Sequence, residues 1–562
     1  MLDRFNSLTF SAAEIDELFE YYSRYGSDKI DLPTRDDFLE FSRTGNRLNY
    51  ENKYFALRHR INGAFMMCRA KGNEYSDELR ALIRAVCDEE TWALPAHVSN
   101  LDNARTEIDL FAAETAMMLA EIKYLAGANG DSAATGASGD ILGAELNDRI
   151  DKEIRERIFV PFSKNKYHWE TAAHNWSAVC AGAIGIAYLR LAPDELPLDR
   201  ILNAMDAYIS GYSDDGICLE GIGYWSYGFG FYMYFGETLF ETRFSEAPAA
   251  IDIIHMDKIR CIAAFPENAA LSGSSESSSG TDSTSGNGET LISCSDAPAE
   301  FAAPEGLMGM ISEFYGATSP VRTVKTDECG RWAHFIRSYL YPVKGKTEPP
   351  ATGEYIYEQS QWYVNRKPRY GFFIKGGTNG EPHNHNDIGS FIIADKSGQI
   401  LCDLGAGEYT RDYFNDETRY NYLCNSSLGH SVPIIDGKGQ FAGAEYRCDA
   451  FNCGSNSARV LFGNAYGNNA AAVREVKLHE NKIVLRDTFK FTDEKPHIIT
   501  ERFVTLIEPV ITDSGILIGD LKINKTGEIK KEIIRAHDGT PKAVYLMDFN
   551  ADMNFEIEFM FI

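Results

Sequence analysis

The chain has no apolar run long enough for a membrane span, no Cys-x-x-Cys pair and no excess of basic residues, and each absence closes off a class of function. A spanning helix needs about 20 consecutive apolar residues, and none is found. The 11 cysteines are odd in number and scattered, so reduced thiols are expected rather than a disulfide framework. Lys and Arg total 55 against 82 Asp and Glu, a formal charge of −27. A nucleic-acid partner, which needs a basic footprint, is therefore not expected. The amino terminus, MLDRFNSLTFSAAEIDELFEYY, has no basic stretch leading into an apolar one. It reads as carrying no signal peptide, which implies a cytoplasmic location, or a periplasmic or secreted one if a leader was removed.

What is present points to a large globular protein. At 562 residues the chain is long for a single core, so two or three domains are expected. The first half reads helical. From Thr106 to Leu125, Ile108, Phe111, Thr115, Leu119 and Ile122 recur at three- and four-residue steps. Ile201, Met205, Tyr208 and Ile209 repeat the pattern, with Pro197 near the start. Asn175 to Leu191 is small and apolar on nearly every side, the mark of a helix packed among helices. Periodicity alone leaves a helical array and a toroid as alternatives. The Ser/Gly-rich stretch 272–288 reads as a flexible loop inserted in this half, because helical pattern resumes at Glu305 to Tyr315.

From about Gln359 the pattern changes to short alternating strands. QWYVNRKPRYGFFIKGG and GSFIIADKSGQILCDLG read as hairpins, the second turning at Asp395 to Gly398. AVREVKLHENKIVLRDTFKF alternates about Glu480 and Asn481. The expected architecture is α+β, with a helical domain over 1–345 and an antiparallel β-sandwich over 346–562.

The histidines are unevenly placed. His383 and His385 flank Asn384, Asp403 follows on the next strand, and His430 comes later in SSLGHS. On extended backbone the first two would share a face, and Asp403 on the return strand could approach it. Two imidazoles and a carboxylate make a plausible zinc site, with manganese a second choice.

The segments HNHNDIGSFII, LCDLGAGEYTRDYF and RYNYLCNSSLGHSVPIIDGKGQ resemble the C-terminal signature of the heparinase II/III-like polysaccharide lyases. In the first half TWALPAH, IDLFAAETAMMLA, HNWSAVCAGAIG and DDGICLEGIGYWSYG are similar to segments of the same family, in the same order. The resemblance implies an incomplete α/α toroid followed by antiparallel β-sheets. It implies β-elimination from an acidic, uronate-containing glycan, of glycosaminoglycan or alginate type. Tyr224 and His383 match the catalytic tyrosine and histidine, and Asn175 the amide that neutralises the substrate carboxylate. His174 and Glu220 are reserve candidates. His385, Asp403 and His430 match the ligands of one divalent metal, usually zinc and mainly structural.

For sugar contacts the expected residues are His97, Trp225, Tyr227, Glu408 and Arg411, with Tyr409 beside them. Tyr224, Trp225 and Tyr227 could instead be core aromatics on a helix, the reading favoured when the resemblance is set aside, and His97 could only pack on Trp92. Asn175 could merely cap a helix, and Arg411 and Arg419 could be ordinary solvated charges. Removing the C5 proton needs a base, and expelling O4 needs an acid. A tyrosine could do both if its phenol were depressed from about 10, and a histidine is the other natural base. A metal-dependent glycan hydrolase and a silent carbohydrate-binding protein are the competing functions, and a homo-oligomer stays open.

Overall fold

A computed structural model describes residues 1–25, 31–98, 100–127, 141–243, 253–272, 290–298, 301–317, 321–344, 350–467 and 470–562. The Ser/Gly-rich loop read at 272–288 lies, but for Ser272, outside the described residues.

The first half is helical and forms an incomplete α/α toroid. Leu110–Gly127, Asn175–Leu191 and Ile222–Arg243 are the inner helices, and the middle one packs on both others. Apolar side chains surround the first two on every side, so their burial is nearly complete. Gly182 permits the close approach of the middle helix to the third, since a Cβ there would lie 2.9 Å from the Phe231 carbonyl oxygen. Outer helices such as Ser76–Asp88, Ala144–Ile154 and Leu198–Ser210 bury a single stripe, as amphipathic sequence requires. The helix expected from Thr106 begins at Leu110 instead. Asp109 stops it, accepting the Ala112 amide at 2.7 Å in the manner of an N-cap.

Helix gives way to sheet between Leu340 and Gly353. A five-stranded antiparallel sheet comes first, in the order Gly398–Leu401, Phe391–Asp395, Gly371–Lys375, Trp362–Arg366, Gly353–Tyr357. Side chains alternate across it. Trp362, Val364, Phe373, Ile392 and Ala394 join the helical core, while Tyr363, Phe372, Ile374, Phe391 and Ile393 join a second core under an eight-stranded and a four-stranded sheet. Both faces are thus apolar, and this sheet is the layer that fixes the helical half to the rest. Both expected hairpins are present, as is the pairing of Ala470–Leu478 with Lys482–Phe491.

The two halves are also laced together by backbone. Residues 290–298, which belong in sequence to the helical half, lie against the sheets: Gln399 donates to the Leu291 carbonyl at 2.7 Å, and the Ala406 amide to that of Ala297 at 3.0 Å. No helix among the described residues is long and apolar enough to cross a membrane.

Candidate active site and metal centre

The loop between Thr378–Asn379 and Phe391–Asp395 carries both histidines of the HxH pair. It is not a strand, and His383 has left-handed backbone (φ 56°). The same-face argument from a two-residue period therefore does not apply. His383 is half-buried and His385 fully buried. A carboxylate that the sequence did not single out brings them together. Asp296 Oδ2 lies 2.9 Å from His383 Nδ1, and Oδ1 lies 3.0 Å from His385 Nε2. Arg419 donates to Oδ2 at 2.9 Å, and the Tyr413 hydroxyl donates to Oδ1. Burial would push the Asp296 carboxyl up, but the two imidazoles and the Arg419 guanidinium outweigh it and hold it well below the usual range. Arg419 is accordingly a buried, paired cation, not the solvated charge its sequence suggested.

Gly221 makes room for this hub. A Cβ on it would stand 2.9 Å from the Cys294 carbonyl oxygen and its φ is 100°, so only glycine lets 218–222 lie against the Asp296 segment. Glu220, just before it, places Oε2 3.7 Å from His383 Nε2. Burial pushes the Glu220 carboxyl up, against the pull of His383 and of the Asn175 backbone N–H that it accepts. Asn175 is the first residue of its helix and buried; the capping position belongs to His174, so capping does not explain the asparagine. Asn175 Oδ1 and Glu220 Oε2 are both buried without a hydrogen-bond partner, which singles them out as groups a ligand would satisfy. His174 is half-buried beside them, and burial, with His383 nearby, lowers its pKa.

Tyr224 stands near the start of the third inner helix. Its ring stacks on His383 with centroids 4.0 Å apart and planes at 24°, so the helical half's phenol and the sheet half's imidazole touch. The Tyr224 hydroxyl pairs with that of Tyr409 at 2.8 Å. Burial, then the Asp296 charge, raises the Tyr224 phenol rather than depressing it. The resting group is a proton-bearing phenol, so the condition under which one tyrosine could be both base and acid is not met.

The other expected sugar contacts divide. Trp225, one residue on and therefore about 100° around the helix, is fully buried with its indole N–H on the Ile262 carbonyl at 2.8 Å. Tyr227 is buried, bonded to Glu114 and under Arg331. Both are core aromatics here, not groups open to a glycan. His97 bonds Asp109 at 2.8 Å and its ring meets Phe111 and Trp176 rather than Trp92. Glu408 and Arg411 flank Tyr409 in sequence. Glu408 faces Arg535 at 3.6 Å, and the exposed Arg411 guanidinium reaches the Ser42 carbonyl at 3.4 Å.

Behind His383 lies the candidate metal centre. One ligand atom from each of His385, Asp403 and His430 falls within 4.8 Å of the others, and all three residues are buried. Asp403 follows the strand Gly398–Leu401, whose register shifts between Gln399 and Leu401; such a bulge re-aims what comes after it. The donor set fits a divalent metal. His385 Nδ1 has no hydrogen-bond partner and His430 Nδ1 faces Asp403 Oδ2 at 3.3 Å, while their Nε2 atoms are committed to Asp296 and to the Cys424 carbonyl, the latter at 2.8 Å. Ligating histidines are held in that way by their outer nitrogen. Within the HxH pair it is His385 alone that joins Asp403 and His430, and His383 stands apart from the cluster.

No family model matches the chain, and no curated protein sequence is similar to it. Solved structures are similar in fold. Heparinase III superposes with a TM-score of 0.62 at 11% identity over 100% of this chain and 93% of its own. Heparan sulfate lyase HepC from Pedobacter heparinus gives 0.54 at 11% identity over 100% and 85%. A second heparinase III structure gives 0.58 at 12% over 98% and 88%.

Proposed function

We propose that the chain is a lyase that cleaves uronate-containing glycans by β-elimination. The observation that carries this reading is the contact between Tyr224 and His383, an acid and a base from two halves of the chain meeting at a single point. With Nδ1–H given to Asp296, His383 keeps its lone pair on Nε2, the nitrogen nearest Glu220. That nitrogen takes the C5 proton. The Tyr224 phenol, held in its protonated form, gives its proton to the departing O4, leaving a C4–C5 double bond conjugated with the carboxylate. Charge grows on the carboxylate as the proton leaves, and the Asn175 amide is the donor placed to absorb it, with the Glu220 carboxyl, which burial pushes up, beside it. One such donor is worth about 3–4 kcal/mol of barrier.

The metal, zinc or manganese by its donor set, is held by His385, Asp403 and His430. When bound it supplies a cross-link between the end of one hairpin and the loop at His430. These ligands are 0–4% exposed, and a hydrolytic centre needs a coordination position open to water and substrate. The burial disfavours the metal-dependent hydrolase.

The fold likeness supports a glycosaminoglycan as substrate, since the similar structures are named for heparin and heparan sulfate lyases; chondroitin, hyaluronan and alginate are the other members of the class. The pair suits the epimer whose C5 hydrogen lies opposite O4, with His383 as the base and Tyr224, held in its protonated form, as the acid. The test is a panel of uronate polymers and oligomers, followed by ultraviolet absorbance of the unsaturated product and by mass. New reducing ends without unsaturation would reject the elimination.

A further inference from the structure

His383 sits on a loop, half-exposed, in a backbone conformation that few residues adopt. An imidazole so placed could turn either nitrogen toward a substrate. Asp296 removes that choice, and it does so for two histidines at once. Fully buried, it divides its oxygens, Oδ2 facing His383 Nδ1 and Oδ1 facing His385 Nε2. A carboxylate with Arg419 on it accepts and does not donate. Each ring must therefore present an N–H to it, and each presents a different nitrogen. The nitrogen left with a lone pair is Nε2 in His383, 3.7 Å from Glu220, and Nδ1 in His385, which has no hydrogen-bond partner and belongs to the cluster with Asp403 and His430.

We propose that Asp296 is a positioning residue that assigns opposite tautomers to His383 and His385, making the first a base through Nε2 and the second a metal ligand through Nδ1. Sequence separation hides this, since Asp296 lies in the helical half, 87 residues from His383. Arg419 and Tyr413 hold the carboxylate itself, so the orientation of the base is tied to the folded state of the metal loop and not to the His383 side chain alone. The part about the base rests on the elimination reading above; the part about the tautomers does not.

The experiment uses the full chain labelled with ¹⁵N-histidine, zinc-saturated, at a pH about two units above the ordinary histidine value of about 6.5. The His383→Gln variant identifies the His383 signals. The expected spectrum has His383 protonated on Nδ1 and bare on Nε2. In Asp296→Asn the His383 signals shift toward a mixture of tautomers. At saturating zinc kcat falls about 10²- to 10⁴-fold, the scale of a wrongly held catalytic imidazole, with KM within about threefold, and Asp296→Glu recovers part of the loss. Zinc affinity in Asp296→Asn falls about 10- to 100-fold, as for other residues that support a ligand. A wild-type His383 with its proton on Nε2 would overturn the proposal whether or not any variant folds. So would a kcat within threefold of wild type in Asp296→Asn. Correct tautomers with no unsaturated product from any uronate would instead retire the elimination reading and leave the positioning role standing.

Discussion

Tyr224→Phe separates chemistry from packing more cleanly than any other change in this protein. The ring that stacks on His383 is kept, so the imidazole keeps its neighbour. What is lost is one hydroxyl and its 2.8 Å bond to Tyr409. A neutral hydrogen bond contributes about 1 kcal/mol, and in a chain of this size that moves Tm by no more than about 2 °C. The same hydroxyl, if it is the acid that protonates O4, is worth about 10²- to 10⁴-fold in kcat, or about 2.7–5.4 kcal/mol at 1.36 per factor of ten. The expected result is therefore a kcat reduced at least a hundredfold in an enzyme that melts almost as before. The assay is the initial rate of ultraviolet absorbance on a uronate oligomer, beside a thermal melt. The raised phenol adds a second expectation. Tyr224 stays protonated through neutral and mildly alkaline pH, so the free enzyme shows no alkaline break due to this group below about pH 9. A loss under tenfold would refute the acid role. A break below pH 9 that vanishes in Tyr224→Phe would refute the protonated resting state.

Other outcomes follow from the same geometry. Asn175→Ala lowers kcat/KM by about 10²- to 10³-fold, the worth of one preorganised donor, while circular dichroism stays unchanged; an equal loss on substrate and on its neutral methyl ester would show that the amide does not act on the carboxylate. Trp225→Phe removes an indole bond to the Ile262 carbonyl and costs about 1–3 kcal/mol of stability, with kcat/KM within twofold; a selective rise in KM would restore it as a sugar contact. Chelation lowers Tm by stripping a cross-link held by His385, Asp403 and His430, and zinc restores it; an unchanged melt would mean these residues hold no ion. Burial pushes the Glu114 carboxyl up to about 7 despite Arg331. A carboxyl raised on folding favours the folded state when protonated, and that advantage is lost as pH climbs from about 4.5, its unfolded value, through about 7. Glu114→Gln, neutral throughout, should therefore gain Tm over wild type between pH 5 and pH 8, as read by calorimetry in matched buffers (about half a unit inside the lower edge of that window and about a unit above its upper edge); a constant difference would contradict the shift.

Local sequence was sufficient wherever one stripe or one alternation decided the outcome. The inner helix Asn175–Leu191 is apolar on every side and is buried on every side. The hairpins at Trp362–Lys375 and Phe391–Leu401 follow from a period of two and a polar turn. It failed at His383, where the backbone is left-handed and a strand's alternation has no meaning. It also could not choose between Tyr224 and Trp225. The helix Ile222–Arg243 carries aromatic residues all round, so no polar stripe marks the side that faces the cleft.

Residue types and their spacing by themselves determined a helical half followed by antiparallel sheets, because periodicity is written within a few residues; Tyr224, His383 and the set His385, Asp403 and His430 were singled out only through the family resemblance of the segments that carry them. Tertiary structure alone decided that Asp296 joins them, that Arg419 is buried with it, and that the phenol is raised rather than lowered. Those outcomes depend on how much water folding removes and on which charges it brings within 3 Å across 87 to 123 residues of chain, and no local pattern records either.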